Sequence, residues 1–460
     1  MKHSTDGADN SRGAGVGSTI HTVRIVMATV KYRFDREIPV IAETDVLVVG
    51  GGPGGVGAGV MAARQGVRTV VAERYGCLGG MAVFGEVTPF MWSHVHRRAL
   101  DRPVYIDWCR RMQEYRSDEM RKKFPFSEDE AAGMIAKDEA MLAMEDLVTE
   151  SGAKLLYHHT LVDVLMEGGG IAAAVFHSKS GFAAVRAKLF IDSTGDGDLA
   201  VLAGCPWEFG NGEGFCQPMT TCFKLSGVDR SRMPDRAGIN AIYETENASE
   251  KTGCPRENVL WFPTPEEDVI HFNTTRVIRK SAVEGVELSE AEIEGRRQVR
   301  RIVEFLRASV PGFEQARIRS IAHHVGVRES RRILGLVYQT AEDFERAAKY
   351  PDGVVRVNYP IDIHNPAGAG TTMMRMEPDD WYEIRYGTLV PRESRNLLMG
   401  CRAISLDHAL HSSARVMPPV CSIGQAAGMA AAMCVEEGIS PSQLDGVRLR
   451  RRLAEAGAWL

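Results

Sequence analysis

At 460 residues and 44% hydrophobic side chains, the chain can bury large cores and divide into two or three domains. A formal net charge of -5 and a pI near 6.3 give no basic field, so neither nucleic acid nor an anionic membrane is an expected partner. Nine cysteines without a C-x-x-C pair support no disulfide framework, zinc ribbon or iron–sulfur cluster, and no metal is expected.

In chain order, residues 1–31 read as a disordered leader, with Arg24 interrupting the one apolar stretch that could serve a signal peptide and Met27 an alternative start. No apolar run reaches the ~20 residues of a membrane span. The chain therefore reads as cytoplasmic. Val46 to Val49 form an apolar run suited to a buried parallel strand, followed by Gly50, Gly52, Pro53, Gly54 and Gly55 in a G-x-G-x-x-G turn. In such a turn the first glycine permits the tight bend, the second lets the backbone approach a pyrophosphate, and the third lets the next helix pack on the strand. The helix N-terminus then offers unpaired N–H groups and a positive dipole end to the phosphates. Arg68 to Glu73 is the second strand, with Glu73 about 20 residues past the central glycine, where a carboxylate accepts from both ribose hydroxyls. This is a dinucleotide site that disfavours a 2′-phosphate. NAD and FAD both remain open, although the Gly79-Gly80 pair, followed by Met81, suits a ligand extended toward a flavin ring.

Lys137 to Glu150 has helical spacing and a stop at Ser151-Gly152. Residues 153–157, 160–166, 171–176 and 184–191 read as short strands of a β-meander, the last running into Thr194-Gly195-Asp196-Gly197 and returning to the cofactor. From about Gly210 to Glu383 the composition shifts to charged helices, such as Ser289 to Ser309, and short strands. Arg296, Arg297, Arg300 and Arg301 read as a solvated helical face. Asn396 to Gly400 is a short strand, and Cys421 to Met433 a small-residue helix whose N-terminus is a second dipole site.

These strings together resemble the FAD-dependent oxidoreductases of the glutathione-reductase-like fold, in the bacterial group related to the flavoprotein subunit of heterodisulfide reductase. The marks are Arg36 to Pro39, Gly50 to Gly55, Glu73 to Met81, Ile191 to Leu199, Gln217 to Thr220, Ala291 to Arg296, Gly326 to Ile333, Tyr359 to His364 and Gly424 to Gly428. The implied fold is α/β: a Rossmann-type FAD-binding domain with a parallel sheet and β-meander, plus a discontinuous mixed α+β substrate domain. The expected boundaries are FAD-binding segments at 32–100, 135–209 and 384–460, a helical insertion at 101–134 and a substrate or cap domain at 210–383.

The resemblance implies FAD at Gly52, Gly54 and Gly55 through its pyrophosphate and at Glu73 through its ribose. It implies Arg74 and Gly80 near the flavin, Val162 at the adenine, Asp196 over the phosphate or ribityl region, and Gln425 and Ala426, behind Gly424, at the ring. Two departures stand out. Gly400-Cys401 replaces the usual alanine then glycine, and Cys77 replaces a common aromatic residue; its thiol reads as inert rather than as a tether to flavin.

Substrate oxidation needs a base, and His364, His408, His411 and His94 sit in suitable loops, His364 being favoured because it ends an apolar strand. Arg328, Arg331 and Arg332 each suit a substrate carboxylate or an internal salt bridge with Glu329. Arg415 precedes the last helix closely enough to reach flavin or substrate. The expected activity is a dehydrogenase or oxidase passing a hydride from a small organic substrate, a polar alcohol or carbohydrate, to FAD, with an unknown electron acceptor. An electron-transfer subunit and a non-redox FAD-binding protein are the alternatives, and a homo-oligomer is left open.

Overall fold

The computed structural model describes residues 35, 37–91, 93–128 and 133–460, so the expected leader over 1–31 lies outside the described residues. β1 (Val40–Val49) is buried from Thr44 onward, as an unbroken apolar run requires of a central strand covered on both faces. α1 (Pro53–Arg64) crosses over to β2 (Thr69–Ala72), which pairs parallel with β1, Val46 opposite Thr69. α2 (Val104–Glu114) lies in the expected insertion, and its Trp108 indole donates to the Ala140 carbonyl of α3 (Lys137–Glu150) at 3.1 Å. β3 (Lys154–Leu156) extends the parallel sheet beside β2. β4 (Thr160–Glu167), β5 (Gly170–Ser178) and β6 (Gly181–Asp192) then form the antiparallel meander. β6 is long enough for two tasks. Its first half pairs with β5, and residues Ala184 to Asp192 run parallel to β1 with Leu189 opposite Val46.

Within the expected 210–383 lobe, β7 (Phe223–Ser226), β8 (Trp261–Pro263), β9 (Ile270–Phe272) and β10 (Arg317–Ile321) form an antiparallel sheet ordered β8-β9-β7-β10. α4 (Gly285–Ser309) belongs to the same core, where Phe223 and Phe272 stack at 4.8 Å beside Ile302 and Leu306. The exposed face of α4 carries Arg296 and Arg297, paired along the helix with Glu292 and Glu294. This second core draws its residues from 223–316 only. Ile333, Phe344, Val354, Ile361 and Tyr382 join the first core instead. β11 (Ile361–His364) therefore stands between the lobe and the FAD-type sheet in sequence but shares the latter's apolar interior.

β12 (Leu397–Met399) pairs parallel with the end of β6, completing the sheet β3-β2-β1-β6-β5-β4 with β12 beside β6. α5 (His408–Ala414) and α6 (Met417–Glu437) follow. α6 begins earlier than the expected small-residue run because Pro418 and Pro419 occupy its first turn, where a missing N–H costs no intrahelical bond. The expectation that no segment has membrane-spanning length is corrected here: α6 is long and apolar enough by composition, yet its apolar window is 94% buried inside the protein. Its small residues serve close packing on α1. A Cβ on Gly424 would lie 1.8 Å from the Gly54 carbonyl oxygen, and one on Gly428 2.3 Å from that of Ala58. A Cβ on Gly57 would in turn lie 2.1 Å from the Cys421 carbonyl oxygen, so the two helices cross in close contact.

Candidate functional site

A cavity of about 560 Å³ runs along the carboxyl ends of β1, β2 and β6 and under the second lobe, within the size range of small-molecule and cofactor sites. Its floor is the glycine turn. Gly50 has φ +103°, and a Cβ there would meet the Ser193 carbonyl oxygen at 2.3 Å. On Gly55 it would meet the Gly50 carbonyl oxygen at 1.9 Å, and on Gly54 that of Gly400 at 2.1 Å. Gly52 differs, since a Cβ there would find only Gly80 Cα at 3.8 Å. Gly52 thus leaves an open cradle on the cavity wall. α1 has Pro53 in its first turn and no side-chain cap, so its first-turn amides stay available to an anion.

Glu73 closes the turn from the other side. Its Oε2 accepts from Gly51 N at 2.6 Å and its Oε1 from Tyr75 N at 2.9 Å, and each oxygen retains a lone pair for a ribose hydroxyl. Arg74, Gly80, Met81, Thr194, Gly195 and Asp196 also line the cavity. Asp196 Oδ1 is anchored by Ser330 Oγ and Arg402 Nη2, both at 2.6 Å. The open turn, the carboxylate and the uncapped helix fit the pyrophosphate and ribose of FAD.

Several expected cofactor residues take other places. Val162 is not on the wall, which His159, Thr160 and Leu161 supply. Gly79, with φ +125°, shapes the turn before Gly80, and Gly55 packs behind the floor. Gly400 also packs behind, its N–H donating to the Asp192 carbonyl at 2.8 Å, while the adjacent Cys401 reaches the cavity. Burial pushes the Cys401 thiol up to about 12, so it is protonated. Cys77 is off the wall, and burial followed by the Glu73 charge raises its thiol pKa as well.

The expectation for Gly424, Gln425 and Ala426 is corrected. Gly424 forms the crossing with α1, Ala426 is buried in the core, and Gln425 Nε2 donates to Arg102 O at 2.7 Å while its Oε1 accepts from Val104 N at 3.1 Å. The α6 N-terminus lies a full turn and more upstream, so Val416, Met417 and Val420 face the cavity instead. Two helix ends without a side-chain cap therefore line one cavity.

At the α6 end lies a polar cluster of Arg328, Tyr359, Asp362, His364 and Arg415. β11 sends Asp362 and His364 to the same side by its two-residue period. His364 Nδ1 lies 3.3 Å from Arg276 Nη2, which can only donate, so Nδ1 accepts and the proton sits on Nε2, 3.5 Å from Asp362 Oδ2. Burial, then the Arg328 charge, pushes His364 down to about 3 against the pull of Asp362. His364 is on the cavity wall, but both ring nitrogens are engaged, which corrects its expected role as a free base. Burial favours protonation of Asp362, yet the hydrogen bond from His364 and the charges of Arg415 and Arg328 hold its carboxyl below the usual range. Tyr359 donates to Asp362 Oδ2 at 3.2 Å, and Oδ1 keeps no hydrogen-bond partner among the described residues.

His408 is excluded from the site by a pairing that spacing did not reveal: its Nδ1 lies 2.8 Å from the buried Glu329, off the cavity. Glu329 also pairs with Arg332 at 2.5 Å, and Arg331 pairs with Asp198 at 2.8 Å. Internal ion pairs thus account for Arg331 and Arg332, while Arg328 faces the cavity. His411 is buried in α5, and neither it nor His94 lines the cavity. Asp362, Tyr359, Asn273 and Arg402 are wall residues that the sequence reading missed. For Asp362 a signal existed, because it alternates with His364 along one strand.

Among known proteins, the chain is 28% identical over 155 residues to digeranylgeranylglycerophospholipid reductase from Thermoplasma acidophilum, covering 33% of this chain and 39% of that protein. It is 49% identical over 47 residues to dihydrolipoyl dehydrogenase from Trypanosoma brucei brucei, 10% of each chain. Of solved structures, a geranylgeranyl bacteriochlorophyll reductase-like protein from Thermoplasma acidophilum matches 90% of this chain and 83% of its own at 14% identity and a TM-score of 0.42. A p-nitrophenol 4-monooxygenase from Pseudomonas putida DLL-E4 matches 91% and 87% at 11% identity and a TM-score of 0.45. The family described as FAD dependent oxidoreductase matches residues 45–453, and the chain belongs to it: the protein is an FAD-dependent oxidoreductase.

Proposed function

We propose that the protein oxidises or reduces a small organic molecule held against Arg328, Tyr359, Asp362, His364 and Arg415. One observation carries this reading: a single cavity has both the glycine turn and this buried polar cluster in its walls. Bound FAD supplies a carrier that accepts or returns a hydride at its ring. The first turn of α1 and Glu73 hold the dinucleotide end, while the α6 N-terminus directs a positive dipole end to where charge would gather on the ring. Asp362 Oδ1 stands as the proton acceptor for a substrate hydroxyl, and His364 orients it through Nε2–H. An enclosed polar cluster supports a small molecule over electron transfer between protein partners, the role that resemblance to the heterodisulfide reductase flavoprotein would imply. Burial of α6 and nine free thiols support a soluble, cytoplasmic protein.

Anaerobic titration of the yellow protein with small alcohols and hydroxy acids tests the reading. One class is expected to bleach the visible flavin band, and Asp362→Asn is expected to keep its flavin while that reduction slows by about 10²–10⁴-fold. An unchanged rate removes Asp362 from the chemistry, and bleaching only by a reduced protein partner replaces the reading with electron transfer.

A further inference from the structure

The protein's interior arginines are paired with carboxylates at most of their positions. Arg402 meets Asp196 at 2.6 Å, Arg331 meets Asp198 at 2.8 Å, Arg332 meets Glu329 at 2.5 Å and Arg276 meets Glu257 at 3.4 Å. Arg328, Arg415 and Arg256 break the pattern, for none has an ion-pair partner among the described residues. Arg415 and Arg256 both lie near Arg328. The charges of Arg415 and Arg256, after burial itself, push Arg328 down to about 9, a marked shift for a guanidinium.

Arg328 is held by neutral acceptors alone, Nη1 donating to Pro218 O at 2.5 Å and Nη2 to Asn273 Oδ1 at 3.3 Å. Among the described residues Arg415 makes only long bonds, to Gln217 Oε1 at 3.4 Å and Asp362 O at 3.5 Å, and its buried Nε has no partner. Gln217 adds a second orphan, being 1% exposed with Nε2 unbonded among the described residues. Asn273 Oδ1 is taken by Arg328 and by Thr220 Oγ1 at 2.9 Å, leaving its Nδ2 as a donor on the cavity wall. On the cavity wall the guanidinium groups of Arg328 and Arg415 stand against the single carboxylate of Asp362, while Arg256, off the wall, is also offset by Glu257, so the cluster has room for about one more negative charge. An interior charge left unpaired is strongly unfavourable, and guanidinium forks match carboxylates in geometry.

We infer that the substrate is an organic acid whose carboxylate docks on Arg328 and Arg415, with Asn273 Nδ2 as a further donor and Leu260 and Phe262 against its apolar body. The inference rests on the cavity being the substrate site. It narrows the class from alcohols at large to acids that carry the oxidisable or reducible group within reach of Asp362.

The test is titration of the oxidised holoenzyme with acetate, benzoate and succinate, and with acetamide, benzamide and succinamide, read as a perturbation of the flavin band. At least one acid is expected to bind and its amide to bind far more weakly. Arg328→Met, which keeps bulk and removes charge, is expected to weaken acid binding by about 100-fold, with Arg328→Lys between the two. Equal binding of acid and amide, binding of none of the acids, or wild-type acid affinity in a flavin-replete Arg328→Met protein overturns the inference. If Arg328→Met does not retain flavin, the acid-to-amide ratio in the unmodified enzyme decides. Acids that bind while no compound bleaches the flavin sink the redox reading and leave the acid site standing. Uncharged alcohols that bleach while acids fail to bind do the reverse.

Discussion

Gly52 and Gly55 lie three residues apart in one motif, yet the space around them assigns opposite consequences to the same substitution. A Cβ on Gly52 enters open cavity, whereas on Gly55 it lies 1.9 Å from a backbone carbonyl that cannot yield. Gly52→Val is therefore expected to fold and lose its flavin, and Gly55→Val to lose soluble protein altogether. Flavin content per folded protein, with circular dichroism as the check on folding, separates the two; a yellow Gly52→Val protein would contradict the pyrophosphate assignment. The motif and Glu73 were readable from sequence because turn, helix and acid are set by local spacing. Arg328, Asp362 and Arg415 come together from three distant segments, and His408 was misread because the carboxylate that engages it, Glu329, is remote in sequence. No spacing rule reports which of several histidines has a buried acid waiting for it.

Among the elements, the α1–α6 crossing has the least tolerance. Gly424 and Gly428 let two helices approach until side chains and carbonyls nearly touch, and a valine at 424 would place its Cβ 1.8 Å from Gly54 O. Overpacking against movable side chains costs about 1–3 kcal/mol. Here the opposing atom is backbone, so Gly424→Val is expected to exceed that range and to abolish flavin retention, measurable as lost soluble yield or a denaturation midpoint far below wild type. A wild-type midpoint would mean that the helices do not cross at these residues. The helix itself was legible in its run of small residues, but its start was not, because Pro418-Pro419 reads equally as a linker and as a first turn. That difference moved the expected flavin contact from Gln425 back to Val416 and Met417.

Across the whole molecule, interior charge sets the response to pH. Asp101 is 1% exposed, and burial, opposed by the hydrogen bond that Ser422 Oγ donates to its Oδ1 at 2.6 Å, raises its pKa to about 7. Its folded value exceeds its unfolded one, so its contribution is fully present below about pH 4 and is lost as pH rises toward 7, by about 1.4 kcal/mol per pH unit. His271 works in the opposite sense: burial pushes it down to about 3, so between about pH 6.5 and 3 the unfolded chain gains a proton that the folded one refuses. The two oppose each other across mildly acidic pH. Asp101→Asn is expected to gain stability relative to wild type as pH rises from 5 to 8, read from denaturation midpoints at each pH; a constant difference would remove Asp101 from the balance. The fold class was legible because sheet, meander and motif recur in order, while the division of 210–383 between two cores was not, since both use the same apolar vocabulary. The contact of Gly54 with Gly424 also has a consequence in time. Roughly 370 residues separate the two, so at about 5–20 residues per second a ribosome needs about 20–70 s after emitting the glycine motif before the helix that backs it exists. Through that interval the nascent α1 presents an uncovered face, and the flavin site can close only once α6 has been made.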